Sequence, residues 1–154
     1  MITVANLLHP EHVSLQLRAS ESKAAIDEVA ALLKKVPAVL DWNALLKGVH
    51  ASAPCLPEPG GGFALCIPHT RGPCVSGMVM AVGRSETGIV FPGVDFPVRY
   101  IFCIAVPRAL AADYLRIVGL LARVFKDRVS EAELRGAASG SEFVDLLSRR
   151  EAKL

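Results

Sequence analysis

The sequence predicts an α/β fold of three layers, a central mixed β-sheet with helices on both faces, and three observations lead there. Short apolar runs of strand character are interleaved along the whole chain with stretches of helical period. One run, Val98 to Val106, is the strongest strand signal in the chain. No linker separates two halves and no internal repeat is visible, so residues 1–154 are expected to form one domain, long enough to bury a sizeable core.

In chain order, Val13, Leu15 and Leu17 alternate with Ser14, Gln16 and Arg18, the period of a half-buried strand. Ser20 or Ser22 can cap a helix running to about Lys35 with Ile26, Val29, Ala30 and Leu33 on one face, and Pro37 closes it. Asp41 can cap a second helix carrying Trp42, Leu45, Leu46 and Val49. Residues 51–62 hold Pro54, Pro57, Pro59 and three glycines and read as a loop.

That loop feeds Phe63 to Ile67, an apolar run of strand length. Pro68 removes a ladder donor, so it is expected to end the pairing and to deliver His69 at a strand end, where α/β sheets commonly place their ligands. A further strand is expected at about 77–83, a turn at Glu86-Thr87-Gly88, and a short strand or bridge at 89–91. Pro107 stops the 98–106 strand and can open the longest helix, about Arg108 to Phe125, with Tyr114, Ile117, Val118, Leu121 and Phe125 inward. A short helix at about 130–138 follows, and Ser139 with Glu142 forms a capping box for a last one.

Composition narrows the function. Lys and Arg number 17 against 15 Asp and Glu, and no basic block appears, which argues against a nucleic-acid partner. No apolar run reaches membrane-spanning length and the start lacks the charged region of a signal peptide, so membrane insertion is not expected and the default location is the cytoplasm. Cys55, Cys66, Cys74 and Cys103 lie in or beside apolar segments and read as reduced fillers.

The chemistry concentrates on Ile67-Pro68-His69-Thr70-Arg71 behind the glycine run 60–62. A histidine there can accept a proton, a metal or a phosphoryl group near neutral pH. Thr70 adds a hydroxyl and Arg71 a cation suited to phosphate oxygens, while glycine backbone at Gly61 and Gly62 lets an anion approach closely. Cys66-x-x-His69 with Cys55, Cys74 and His50 nearby offers a metal-ligand spacing, but strand alternation turns Cys66 and His69 apart, so no metal and no other cofactor is expected.

The order of landmarks resembles a known family. Ile67-Pro68-His69-Thr70, then Val82-Gly83-Arg84-Ser85-x-x-Gly88-Ile89-Val90-Phe91, then Pro97-Val98 leading to Ile101-Phe102-x-Ile104-Ala105-x-Pro107, then the helix ending in Leu121-Ala122-Arg123, look like the type-2 enzyme IIA domain of the bacterial phosphotransferase system. That group includes fructose- and mannitol-type carriers and the nitrogen-regulatory IIA protein. The resemblance covers about residues 3–148. It implies that His69 takes a phosphoryl group from the histidine-containing phosphocarrier protein and either passes it to a IIB domain or serves as a signal to a regulatory target. It also implies that Thr70 and Tyr114 act beside His69, with Gly61, Gly62 and Arg71 toward the phosphate. The absence of a IIB or IIC segment leans toward a free-standing regulatory protein.

Two positions depart from the pattern. Where the family carries an arginine between acidic residues, Ala51-Ser52-Ala53-Pro54 has no cation, and His50 is the nearby candidate to replace it. Where the family has a second histidine at the start of the long helix, Tyr114 stands and brings a hydrogen-bond donor without charge. These departures keep a second reading open, a IIA-like fold that binds a partner and is not phosphorylated. A docking surface of Phe63, Pro73, Val75 and the Glu86 turn is expected around His69.

Overall fold

The computed structural model describes residues 2–57 and 63–153. Six strands form one mixed sheet: β1 (Val13–Ser14), β2 (Cys55–Pro57), β3 (Ala64–Cys66), β4 (His69–Arg71), β5 (Val79–Ile89) and β6 (Val98–Val106). The order across the sheet is β1-β5-β6-β3-β2, with β4 also paired to β6. β6 lies at its centre, antiparallel to β5 and parallel to β3 and β4, and all nine of its residues are buried, as a strand covered on both faces requires.

Alternation along the strands sorts side chains to two cores. On one face Leu65, Ile67, Met80, Val82, Tyr100, Phe102 and Ile104 pack against α1 (Val4–Leu7), α4 (Ala111–Lys126), α5 (Arg128–Arg135) and α6 (Gly140–Ala152). On the other, Ala64, Cys66, Val79, Ala81, Ile101, Cys103 and Ala105 pack against α2 (Ser22–Ala30) and α3 (Trp42–Ala51). The predicted α/β fold with helices on both faces is thus the observed one, and no helix among the described residues is long and apolar enough to cross a membrane.

Several local expectations are corrected. The alternating 13–17 run pairs as a strand only at Val13–Ser14, although Leu17 N–H still donates to Arg84 O at 3.0 Å. α2 is capped by Glu21, whose carboxylate accepts from Ala24 N–H, and its last turn tightens to a 3₁₀ turn at Ala31–Leu33. The proline loop contains a strand, β2, antiparallel to β3, because Pro54 and Pro57 cost no ladder donor on a sheet edge. The residues 86–88 are a bulge within one long strand rather than a turn: Gly88 takes φ of 82° and donates its N–H to Ser85 Oγ, and pairing with β6 resumes at Ile89. α4 is preceded by a 3₁₀ turn at Arg108–Leu110. α5 begins at Arg128, two residues before the expected range, and is capped by Asp127. Ser139 caps α6 as expected, but Glu142 reaches Ala138 N–H, one residue short of a closed capping box.

Candidate functional site

Between β3 and β4 only Ile67 and Pro68 leave the ladder, and Pro68 stays tied to the sheet centre. Its carbonyl accepts from Ile104 N–H at 3.0 Å, and His69, Thr70 and Arg71 then pair in parallel with Ile104, Ala105 and Val106. His69 therefore does not dangle beyond a strand end; it opens a new strand still bonded to the sheet centre, which fixes its backbone more firmly than a loop would.

Three contacts orient the imidazole. His69 N–H donates to Ser52 O at 2.9 Å. Nδ1 lies 3.0 Å from Ile67 O, and since a carbonyl only accepts, that nitrogen carries the proton. Nε2 then holds the lone pair, 3.5 Å from the Ser52 hydroxyl. The ring also lies beside that of Tyr114 on α4, centroids 5.0 Å apart with 32° between planes. Burial pushes the Tyr114 hydroxyl above its ordinary value, so it remains a hydrogen-bond donor throughout the neutral range.

His69 opens on a concave pocket of about 460 Å³ shared with Gly48, Ala51, Ser52, Thr70, Arg71, Val106, Ala111, Tyr114 and Leu115. The C-terminal turn of α3 and the first turn of α4 form opposite walls, with β4 as the floor. Gly48 is necessary to this shape: a Cβ there would stand 2.1 Å from Thr70 Oγ1, so α3 can lie against β4 only where it has no side chain. Among the described lining residues Arg71 is the one cation, exposed and without an acidic partner.

The structure brings His69, Thr70, Arg71 and Tyr114 to one pocket. Gly61 and Gly62 lie outside the described residues. His50, the candidate replacement for the missing arginine, is elsewhere: its Nε2 lies 2.6 Å from Asp27 Oδ1, and it lines a separate pocket with Ser22, Lys23 and Phe91. At the end of α3 its side chain follows the exposed face toward α2, away from β4. The expected docking residues are also redistributed. Val75 is buried, Phe63 lies under the Arg99 guanidinium at 3.5 Å, and Glu86 is in the β5 bulge. The large apolar side chain exposed at the pocket is Leu115, 68% accessible, on the outer side of α4.

Sequence reasoning missed Ser52, Gly48 and Leu115. Gly48 had a signal, since a glycine inside a helix costs about 1 kcal/mol against alanine and so points to a close approach. Ser52 had none, because its place beside Nε2 depends on how α3 ends.

Residues 6–150 match the family described as "Phosphoenolpyruvate-dependent sugar phosphotransferase system, EIIA 2". The chain belongs to this family. It is 22% identical over 149 residues to the nitrogen regulatory protein of Bradyrhizobium diazoefficiens, covering 94% of each. It is also 22% identical over 149 residues to the fructose-specific EIIABC component of Bacillus subtilis, where it covers 96% of this chain and only 23% of that much longer protein. In structure it resembles the nitrogen regulatory protein IIA-Ntr of Neisseria meningitidis, with TM-score 0.79, 23% identity and coverage of 94% and 98% of the two chains. A second similar fold is enzyme IIA of the mannitol system of Escherichia coli, in its complex with phosphorylated enzyme IIB, with TM-score 0.69, 19% identity and coverage of 92% and 97%. The IIA fold predicted from the landmark residues is the observed one.

Proposed function

We propose that this EIIA domain carries a phosphoryl group on Nε2 of His69, received from the histidine-containing phosphocarrier protein. The observation that carries the reading is the tautomer: with Nδ1–H bonded to Ile67 O, the lone pair is left on Nε2 at the pocket wall. In-line transfer breaks the donor's N–P bond as the Nε2–P bond forms, and positive charge growing on the imidazole is shared through Nδ1–H with the Ile67 carbonyl. Thr70, Ser52 and Tyr114 offer hydroxyls and Arg71 an exposed cation to the phosphoryl oxygens. No metal or other cofactor is needed for such a step, because positioning and charge neutralisation supply most of the catalysis.

The next acceptor is a IIB domain, as in the mannitol complex, or the modified state itself signals, as the likeness to nitrogen regulatory proteins supports. Both roles belong to the cytoplasm. Leu115 beside the pocket gives either partner an apolar contact next to His69. One observation favours the second reading, a partner-binding protein that is never phosphorylated: residues 51–54 present no cation to the pocket, leaving Arg71 alone there.

Incubation with phosphoenolpyruvate, enzyme I and the phosphocarrier protein, followed by intact mass, separates the two. One added phosphoryl group, absent in His69→Ala, is expected. An unmodified wild-type protein would leave the binding role.

A further inference from the structure

The four cysteines differ in a way that neither the fold nor the proposed phosphoryl site uses. Cys55 of β2 stands directly opposite Cys66 of β3. One position along, Ile67 N–H donates to Pro54 O at 2.9 Å, which makes Pro54 and Ile67 a hydrogen-bonded pair. Antiparallel ladders alternate, so Cys55 and Cys66 occupy the non-hydrogen-bonded position, where facing Cα atoms are about 4.5 Å apart and side chains are closest. That spacing lies within the range a disulfide spans without moving the backbone. Both sulfurs converge on one acceptor, Ala53 O, at 3.7 Å from Cys55 Sγ and 3.4 Å from Cys66 Sγ. All four thiols are reduced, and Cys55 is the half-exposed one while the other three are buried.

We propose that Cys55 and Cys66 are a redox modification site, a dithiol that a small hydroperoxide converts to a cross-strand disulfide. The Cys55 thiolate attacks the peroxide, becomes a sulfenic acid and releases the alcohol or water. Cys66 sulfur then attacks Cys55 sulfur, its proton leaving with the hydroxyl as a second water, so two thiols are oxidised and one peroxide bond is reduced. The neighbouring Cys66 thiol pushes Cys55 below its ordinary value and is itself pushed above it, which assigns attack to the accessible sulfur. Cys103, by contrast, is pushed up to about 12 by full burial.

The modification reaches the histidine through the chain. Three residues before Cys55, Ser52 holds His69 by its carbonyl and lies against Nε2 by its hydroxyl; one residue after Cys66, Ile67 holds Nδ1. A covalent tie between the two segments fixes the frame in which the imidazole is held.

The folded protein, treated with hydrogen peroxide and then digested without reduction, is expected to yield one peptide pair joined through Cys55 and Cys66. The mass falls by about 2 Da and is restored by dithiothreitol. Cys55→Ser, a change at a half-exposed edge, is expected to abolish the link, whereas Cys74→Ser retains it. Intact Cys55 and Cys66 thiols, a Cys55 sulfinic acid beside an unreacted Cys66, or a dimer joined through Cys55 would each overturn the proposal. The His69 imidazole signals in NMR spectra are expected to shift on oxidation and not in Cys55→Ser; unchanged signals would refute the coupling to His69. These readouts do not depend on whether His69 is phosphorylated.

Discussion

Two polar clusters are strung along β6, about 17 Å apart by strand rise, and they are built on opposite terms. Near its start, Arg99 and Glu131 form a buried ion pair at 3.1 Å, with Phe63 on the guanidinium face. Beside them on β5, Arg84 donates to the carbonyls of Leu15, Leu134, Arg135 and Ala137 at 2.9–3.2 Å, closing the C-terminal end of α5. Every charge there has its partners inside the protein. Near the end of β6, His69 spends one nitrogen on Ile67 O and leaves the other at a pocket wall, and Arg71 beside it has no acidic partner. A satisfied charge holds structure, while an unsatisfied one is available to a ligand.

The sharpest break of this contrast is a pair of substitutions read in both assays. His69→Ala is expected to remove phosphoryl labelling entirely and to move the urea midpoint little, since it removes a half-buried ring held by one carbonyl and a long contact to the Ser52 hydroxyl. Arg99→Met is expected to leave labelling of the folded protein intact and to cost about 3 kcal/mol in urea unfolding, because the Glu131 carboxylate stays buried with only the half-exposed Arg135 to balance it. Loss of labelling in Arg99→Met under conditions where it is folded would erase the distinction between the two ends.

How much of this was legible follows the same division. Periodicity located α3 and the α4 face because one-sided burial writes itself into every third or fourth residue, and an unbroken apolar run located β6, which is buried on both faces. The single histidine of the Ile-Pro-His stretch was legible because its flanking residues carry their own constraints. The β2 strand was not, because Pro54 and Pro57 hide an edge strand that needs few donors. His50 was misplaced toward the pocket because sequence distance says nothing about which side of a helix end faces β4. Arg84 was legible as a landmark, yet its role was not, since four carbonyls from two distant segments supply it.

A smaller effect tests whether the pocket's shape or only its residues matter. Gly48→Ala places a methyl group where Thr70 Oγ1 now stands, so α3 and β4 must part or Thr70 must turn. A cost of about 1–3 kcal/mol is expected, together with slower labelling, because Ser52 on the end of α3 moves away from Nε2. Gly119→Ala in α4 is the matched control: nothing lies within 4 Å of the new methyl group, and helix propensity alone predicts a gain of about 0.5–1 kcal/mol with labelling unchanged. Equal responses of the two variants would mean that the close approach of α3 to β4 plays no part in the site.

The finest test concerns Tyr114, at the position where the resemblance to the family leads one to expect a second histidine. Its ring lies 5.0 Å from that of His69, and burial keeps its hydroxyl protonated beyond the ordinary tyrosine range, so at neutral pH it can only be an uncharged donor. If that hydroxyl meets the phosphoryl oxygens, Tyr114→Phe keeps the ring contact and removes one neutral hydrogen bond, worth about 1 kcal/mol, or nearly a factor of 10 in transfer rate. Tyr114→His restores an ionisable group on the same turn of α4, and its protonated form adds charge-assisted binding as pH falls below about 6.5. Transfer, or the lifetime of the phosphohistidine, is therefore expected to rise toward acid in the histidine variant and to show no such step in the phenylalanine one. The alternative is that Tyr114 serves only as packing against the α4 side of the sheet, where it already contributes to the core. In that case both variants alter the urea midpoint and neither alters the rate at any pH, and the pocket's chemistry would rest on His69, Ser52, Thr70 and Arg71 alone.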